Sequence, residues 1–214
     1  MKIFSRALFF IWVLLITYPI HAQFNLGIIG GTNSSSLKGD APPRSKYNSR
    51  SGIAAGIIAE YKIKSDVIFS LQPMVMKKGA NIAADVPGQQ DKVDSIKVDL
   101  EYITLPIMFK IISGNGKTYV SGGFDIGFLQ NATLRTIYQN QEEDIKDSIQ
   151  LIDIAANFGF GAMFPINRVL LFFEARYAQG LMDISNVEKT EGKSVPPQFK
   201  TTGFQFFTGL ILPI

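Results

Sequence analysis

From Phe24 onward the chain alternates. Large apolar residues take every second position in segment after segment, and small or polar residues sit between them. A period of two marks a strand with two unlike faces. The pattern predicts eight strands: Phe24–Ser34, Gly52–Ile63, Asp66–Lys78, Val98–Ile112, Lys117–Thr133, Gln150–Phe164, Arg168–Ile184 and Thr201–Leu212. Most exceed the five or six residues of an ordinary strand.

The connections alternate too. Lys64-Ser65, Ser113-Gly114-Asn115-Gly116 and Pro165-Ile166-Asn167 are short, and Asn115-Gly116 is a strong hairpin signal. Ser35–Ser51, Gly79–Lys97, Leu134–Ile149 and Ser185–Lys200 read as long polar loops. Short turns on one side and long loops on the other is the layout of an outer-membrane barrel. Both ends of the mature chain then fall on the short-turn side.

The faces decide which way round the barrel is built. In the seventh strand Val169, Leu171, Phe173, Ala175 and Tyr177 oppose Leu170, Phe172, Glu174, Arg176 and Ala178. In the sixth, Ile152, Ile154, Ala156, Phe158, Phe160 and Phe164 oppose Asp153, Ala155, Asn157, Gly159 and Gly161. A soluble lipocalin-type barrel hides its apolar face, whereas a membrane barrel turns it to lipid. Glycines gather on the polar face, as a cramped interior requires, because eight strands barely hold their own side chains. The polar face is therefore expected inside. Pro73 and Pro106 fall mid-strand, where a missing N–H calls for a bulge or a break near a rim.

Residues 1–22 read as an export leader, and residues 23–214 as one barrel domain. Lys2 and Arg6 precede fourteen apolar-rich residues, Ala7–Ile20, and Ala22 offers the cleavage point. Fourteen residues are short for a membrane span of about 20, so removal is expected over anchoring. No later apolar run is long enough to suggest a helical bundle.

Charged residues make up only 18% of the chain, against about 25% for soluble domains. Losing Lys2 and Arg6 with the leader leaves 19 basic residues against 18 acidic ones. No basic stripe for nucleic acid remains. Cysteine is absent, so packing and backbone hydrogen bonds must stabilise the fold. The one histidine, His21, lies in the leader. A mature chain without histidine lacks the usual base of a hydrolase triad and the usual nitrogen ligand for a metal. No enzymatic activity, cofactor or metal is expected.

"LGIIGGTNSSS" (Leu26 to Ser36) matches neither a dinucleotide loop nor a P-loop. The acidic run Glu142-Glu143-Asp144 with Asp147 offers oxygen ligands to a hard cation, but its spacing is no EF-hand and a solvated loop accounts for it. Lys77, Lys78, Lys38, Arg44, Lys46 and Arg50 fall near the long-loop side, where solvent or lipopolysaccharide could meet them.

The polar face supplies the main constellation: Glu60, Lys62, Gln72, Lys110, Asp125, Asp153, Asn157, Glu174 and Arg176. Buried charges need partners, and both signs are present. Folding the sixth strand onto the seventh sets Gly161 opposite Phe172, Gly159 opposite Glu174 and Asn157 opposite Arg176, within one register step. A network of this kind either fills a narrow barrel or carries a proton or solute; the filling role is the simpler expectation.

"GIIGGTNSSSLKG", "LEYITLPIMFK", "GKTYVSGGFDIGFL" and "FGFGAMFPINRVLLFFEARYAQGLMDISN" together resemble the PorT-like "porin family" outer-membrane barrels of Bacteroidetes. So does "SGIAAGIIAEYKIKSDVIFSLQPMVMKKGA". The resemblance covers nearly the whole mature chain. It implies that Pro73 and Pro106 are tolerated, and that Thr104 stands where the family often has a glutamate. The C-terminal Leu212-Pro213-Ile214 departs from the terminal aromatic of many outer-membrane barrels.

The sequence therefore predicts an all-β, eight-stranded antiparallel up-and-down transmembrane β-barrel in a Gram-negative outer membrane. Its expected role is structural or surface-binding, through long loops that touch lipopolysaccharide or a partner. Two alternatives stand beside it. The PorT resemblance implies an accessory role in protein secretion, and a soluble periplasmic lipocalin-like barrel would bind a ligand.

Overall fold

The computed structural model describes residues 24–39, 45–85, 93–136, 141–186 and 198–214. The leader and Arg44 lie outside the described residues. The described residues form ten strands: β1 (Phe24–Gly39), β2 (Ser45–Lys62), β3 (Val67–Leu71), β4 (Met74–Asp85), β5 (Val93–Ile112), β6 (Thr118–Thr136), β7 (Gln141–Asp144), β8 (Ile152–Ile166), β9 (Val169–Gly180) and β10 (Phe199–Pro213).

Eight of these positions make one closed antiparallel ring. β3 and β4 are two halves of a single wall strand, and β7 adds only to the end of β6. The ring closes where β1 meets β10, from Asn25–Pro213 to Gly39–Phe199. Phe24 and Ile214 lie together at the short-turn end, where the Ile214 amide donates to the Phe24 carbonyl at 3.1 Å.

The prolines behave otherwise than expected. β3 and β4 part at Gln72-Pro73, yet both halves keep one register against β5, Leu71 opposite Ile107 and Met74 opposite Thr104. Each proline forfeits one donor and keeps its acceptor. The Ile57 amide still donates to the Pro73 carbonyl (3.1 Å), and the Gln72 amide to that of Pro106 (3.0 Å). No bulge is needed at either proline. The irregularities lie elsewhere, between Ser49 and Ala54 in β2 and opposite Glu101/Tyr102, where β6 carries Gln130 as an extra residue. Beyond that bulge the inward positions of β6 change parity, so that both Leu129 and Ala132 are buried.

The β8–β9 register differs from expectation by two positions. Gly161 faces Glu174, Gly159 faces Arg176, and Asn157 faces Ala178. Pro165 and Ile166 stay in the ladder, and Asn167 takes a left-handed φ of 54° that closes a two-residue hairpin with Arg168. Because the offset is even, the inward and outward faces are unchanged.

The apolar face points out. Phe158 is 68% exposed and Phe160 59%, while Phe172 on the other face of β9 is 0% exposed. Ile28, Ile57, Val120, Phe124, Phe173 and Phe206 continue this belt around the ring. Soluble monomers rarely expose so many large apolar side chains on one continuous face. Aromatic pairs mark both rims: Phe69 against Phe109 near the short turns, and Tyr177 against Phe204 toward the other end. The lipocalin-like alternative is thereby overturned, since it would bury this face.

Two of the regions expected as long loops, Ser35–Ser51 and Gly79–Lys97, are wall in all their described residues, whereas residues 187–197 of the fourth lie outside the described residues. β1 runs on to Gly39, β2 starts at Ser45, β4 reaches Asp85 and β5 begins at Val93. Strand pairing continues past the apolar belt because these polar stretches keep their partners in register.

Glycines make the interior possible. A Cβ on Gly161 would meet the Tyr119 ring, whereas one on Gly122 would find nothing nearer than 3.9 Å. Gly161→Ala should therefore lower stability by about 1–3 kcal/mol, as overpacking does. Gly122→Ala should be neutral or better. Urea unfolding of both variants in detergent micelles, read by gel mobility before and after boiling, checks the contrast.

Candidate functional site

The alternation that turns phenylalanines to lipid turns the polar residues inward. Glu60, Gln72, Lys110, Asp125, Asp153, Asn157, Glu174 and Arg176 are all buried within the ring. Lys62 is not among them. It shares the inward parity of Glu60 but sits at the last position of β2, exposed at the short-turn rim.

One network ties together five wall strands. Arg176 on β9 donates through Nε to Glu174 Oε1 and through Nη2 to Gln72 Oε1, both at 2.8 Å. Glu174 also accepts from the Ser121 hydroxyl (2.6 Å) and the Tyr119 hydroxyl (2.9 Å), both on β6. Lys110 on β5 reaches Glu60 on β2 at 2.7 Å and Glu174 at 3.9 Å. The cations also lie against aromatic faces. Lys110 Nζ is 4.7 Å from the Tyr119 ring centre, and the Arg176 guanidinium carbon is 4.7 Å from that of Phe207. Gly159 leaves the space for this arrangement; a Cβ there would meet Ser121 Oγ, Arg176 Cγ and Glu174 Oε1.

A second group lies nearer the far end. Lys78 Nζ donates to Asp153 Oδ2 at 2.9 Å, and the Thr201 hydroxyl donates to the same oxygen at 2.9 Å. Lys78 departs from the expectation that it joins the outer basic residues. Its parity with Gln72, Met74 and Met76 puts it inside instead, while Lys77 faces out against Glu101 at 2.7 Å.

The interior is less polar than the sequence suggests. Ile29, Ile58, Met74, Met163, Phe172 and Ile211 belong to a buried apolar cluster toward the short turns. A second cluster, including Leu37, Ile82, Leu100 and Tyr102, fills the other end. Ile149 and Ile184 fold into that second cluster from outside the named strands, held by the Gln150 amide donating to the Ile184 carbonyl at 2.8 Å. The charges lie against both clusters: Lys110 sits over the Tyr119 and Phe172 rings, and Lys78 over that of Tyr102.

The acidic run becomes wall. Glu142 and Asp144 lie in β7, Glu142 pairs with Arg135 at 2.8 Å, and Asp144 accepts from the Lys146 amide. Among the described residues no group of three acidic or histidine side chains could hold a metal. Three inward carboxylates join strands: Glu60 bonds Lys110, Glu174 bonds Tyr119 and Ser121, and Asp153 bonds Lys78 and Thr201.

Removing one member of the network leaves its partner buried and unpaired. Arg176→Ala should cost about 3–5 kcal/mol, because Glu174 loses its nearest counter-charge and keeps only Lys110 at 3.9 Å. Phe173→Ala, facing lipid one residue away from Glu174, should cost far less. Denaturant unfolding of the refolded variants measures both, and equal losses would mean that the faces are reversed.

Residues 19–186 match the family model described as "Outer membrane protein beta-barrel domain". No curated protein matches the chain. Among solved structures, Neisserial surface protein A (NspA) aligns with a TM-score of 0.50 at 12% identity, over 89% of this chain and 97% of that one. OprG from Pseudomonas aeruginosa aligns at 0.47 and 14%, covering 90% and 96% of the two chains. Ail, the attachment invasion locus protein of Yersinia pestis, aligns at 0.44 and 14%, covering 89% and 99%. The NspA likeness bears on the fold alone. With its closed eight-position ring and lipid-facing apolar belt, the chain belongs to the outer-membrane protein β-barrel domain family and resides in the outer membrane of a Gram-negative bacterium.

Proposed function

We propose that this small outer-membrane barrel is a closed, non-catalytic surface protein that works through its outer wall and far rim rather than through a passage. The single observation that carries this reading is the filled interior. Arg176, Lys110, Tyr119 and Phe172 are among the largest fully buried side chains, and two apolar clusters occupy the space around them. An eight-strand ring has no room for both this filling and a water path.

Polar wall continues beyond the apolar belt, and outward charges decorate it. Lys77 pairs with Glu101, Arg135 with Glu142, and Arg50 with Asp99. Lys38 and Lys46 stand exposed nearby. A collar of this kind suits the phosphate and sugar groups of lipopolysaccharide, whose negative charge exposed lysines would attract. The PorT-like resemblance supports a different use of the same collar, as a docking rim for secretion machinery. In that case deletion should abolish export of cargo, and complementation should restore it.

In planar bilayers the purified protein should show no steady ion conductance; a stable open channel would sink the closed-barrel reading. In vesicles, adding lipopolysaccharide should raise the melting temperature of the barrel, and added salt should weaken the gain. Lys38→Glu with Lys46→Glu should shrink the gain several-fold. An unchanged gain would remove these lysines from any role in binding.

A further inference from the structure

The middle of the barrel holds one more acid than it has bases. In the network nearer the short turns, Glu60 and Glu174 are matched by Lys110 and Arg176. In the second group Asp125 and Asp153 share one base, Lys78, and Lys78 is committed to Asp153. Asp125 is 0% exposed, and neither of its carboxylate oxygens has a hydrogen-bond partner.

Asn157 is in the same position. It is 0% exposed, and both its amide oxygen and its amide nitrogen lack partners. The two side chains are neighbours. Asp125 on β6 pairs with Ala155 on β8, which sets Asn157 on the diagonal of the same inward face. The register sets them side by side, and neither bonds the other or any third group.

Four orphan polar atoms on two adjacent buried side chains have a simple chemical solution. A carboxylate can only accept, so facing an amide it can use the amide N–H but leaves the amide oxygen orphaned. A carboxylic acid can do both. Its O–H donates to the Asn157 oxygen, and its carbonyl accepts from the Asn157 N–H. One proton then satisfies all four atoms and removes the excess charge from a water-poor interior, where an unpaired carboxylate is costly.

We infer that Asp125 is an interior proton-binding site, carried as a neutral acid in a reciprocal pair with Asn157. The other groups facing it do not replace the proton. From β4, Lys78 bonds Asp153, and from β9, Arg176 bonds Glu174 through Nε and Gln72 through Nη2; its Nη1 and the β5 hydroxyls of Tyr102 and Thr104 have no partner, and none of them bonds Asp125. The bound proton balances the four inward acids against the three inward bases, so nothing draws a counter-ion into the interior. This inference concerns the interior only and is independent of what the outer collar binds.

Asp125→Asn mimics the neutral acid, since an amide both donates and accepts in the same shape. It should unfold at the same denaturant concentration as the wild type or a higher one. Asp153→Asn, which strips Lys78 of its counter-charge, should unfold at a clearly lower one. Infrared spectra of the folded wild type should show a buried carboxylic-acid carbonyl band that persists in Asp153→Asn and vanishes in Asp125→Asn. Absence of that band overturns the inference, as does an Asp125→Asn midpoint lowered as far as that of Asp153→Asn. An alkali ion in place of the proton also overturns it, and shows as wild-type melting that drops when sodium is replaced by tetramethylammonium at equal ionic strength.

Discussion

Everything in this molecule depends on closure of the hydrogen-bond ring. Lipid offers no donors or acceptors, so each backbone group in the wall must be met by the next strand. The β1–β10 pairing removes the last two edges. Two prolines lie within the wall, and the ring survives them because neither disturbs the register of its neighbours. Their carbonyls still accept, so the loss is confined to one donor each. A register slip would have cost far more, since a one-residue shift turns every side chain to the opposite face.

Closure with eight wall strands then sets the interior. The space is narrow, so large side chains enter only where the facing position is small. Gly159 and Gly161 make the space that Arg176, Glu174 and Tyr119 occupy. Apolar clusters take up the rest of the interior, which forces the charges among them to find one another. The Arg176–Glu174 contact, two residues apart on one strand, becomes the hub of a network that reaches β2, β5, β6 and the β3–β4 junction. Asp125 is what remains when that pairing is complete.

Outside, the same alternation serves a different solvent. Where the wall crosses lipid, its outward positions are Phe, Ile, Leu and Val; where it rises beyond, they are Lys, Glu, Arg and Asp paired across strands. One continuous ladder therefore carries two surfaces. The division between them falls near the β6 bulge at Gln130, where the inward parity also changes.

Period-two alternation was enough to read eight strands, their faces and the inside-out arrangement, because side-chain direction along a strand is a local property. The membership of the interior followed from it for Glu60, Gln72, Lys110, Asp125, Asp153, Asn157, Glu174 and Arg176. Lys78 was equally legible by parity with Gln72, yet its adjacency to Lys77 suggested a solvated basic pair. Other features were not local. Lys62 has inward parity but lies at a rim, and only the strand's end point shows that. The β8–β9 register hinged on whether Asn167 or Pro165 began the turn, a choice made by the closing hairpin. The bulge at Gln130 and the strand extensions into polar sequence depend on partners far along the chain. Which charges meet, and which acid is left over, depends on the positions of six wall strands at once. Alternation therefore determined the faces, and ring closure alone decided the contacts.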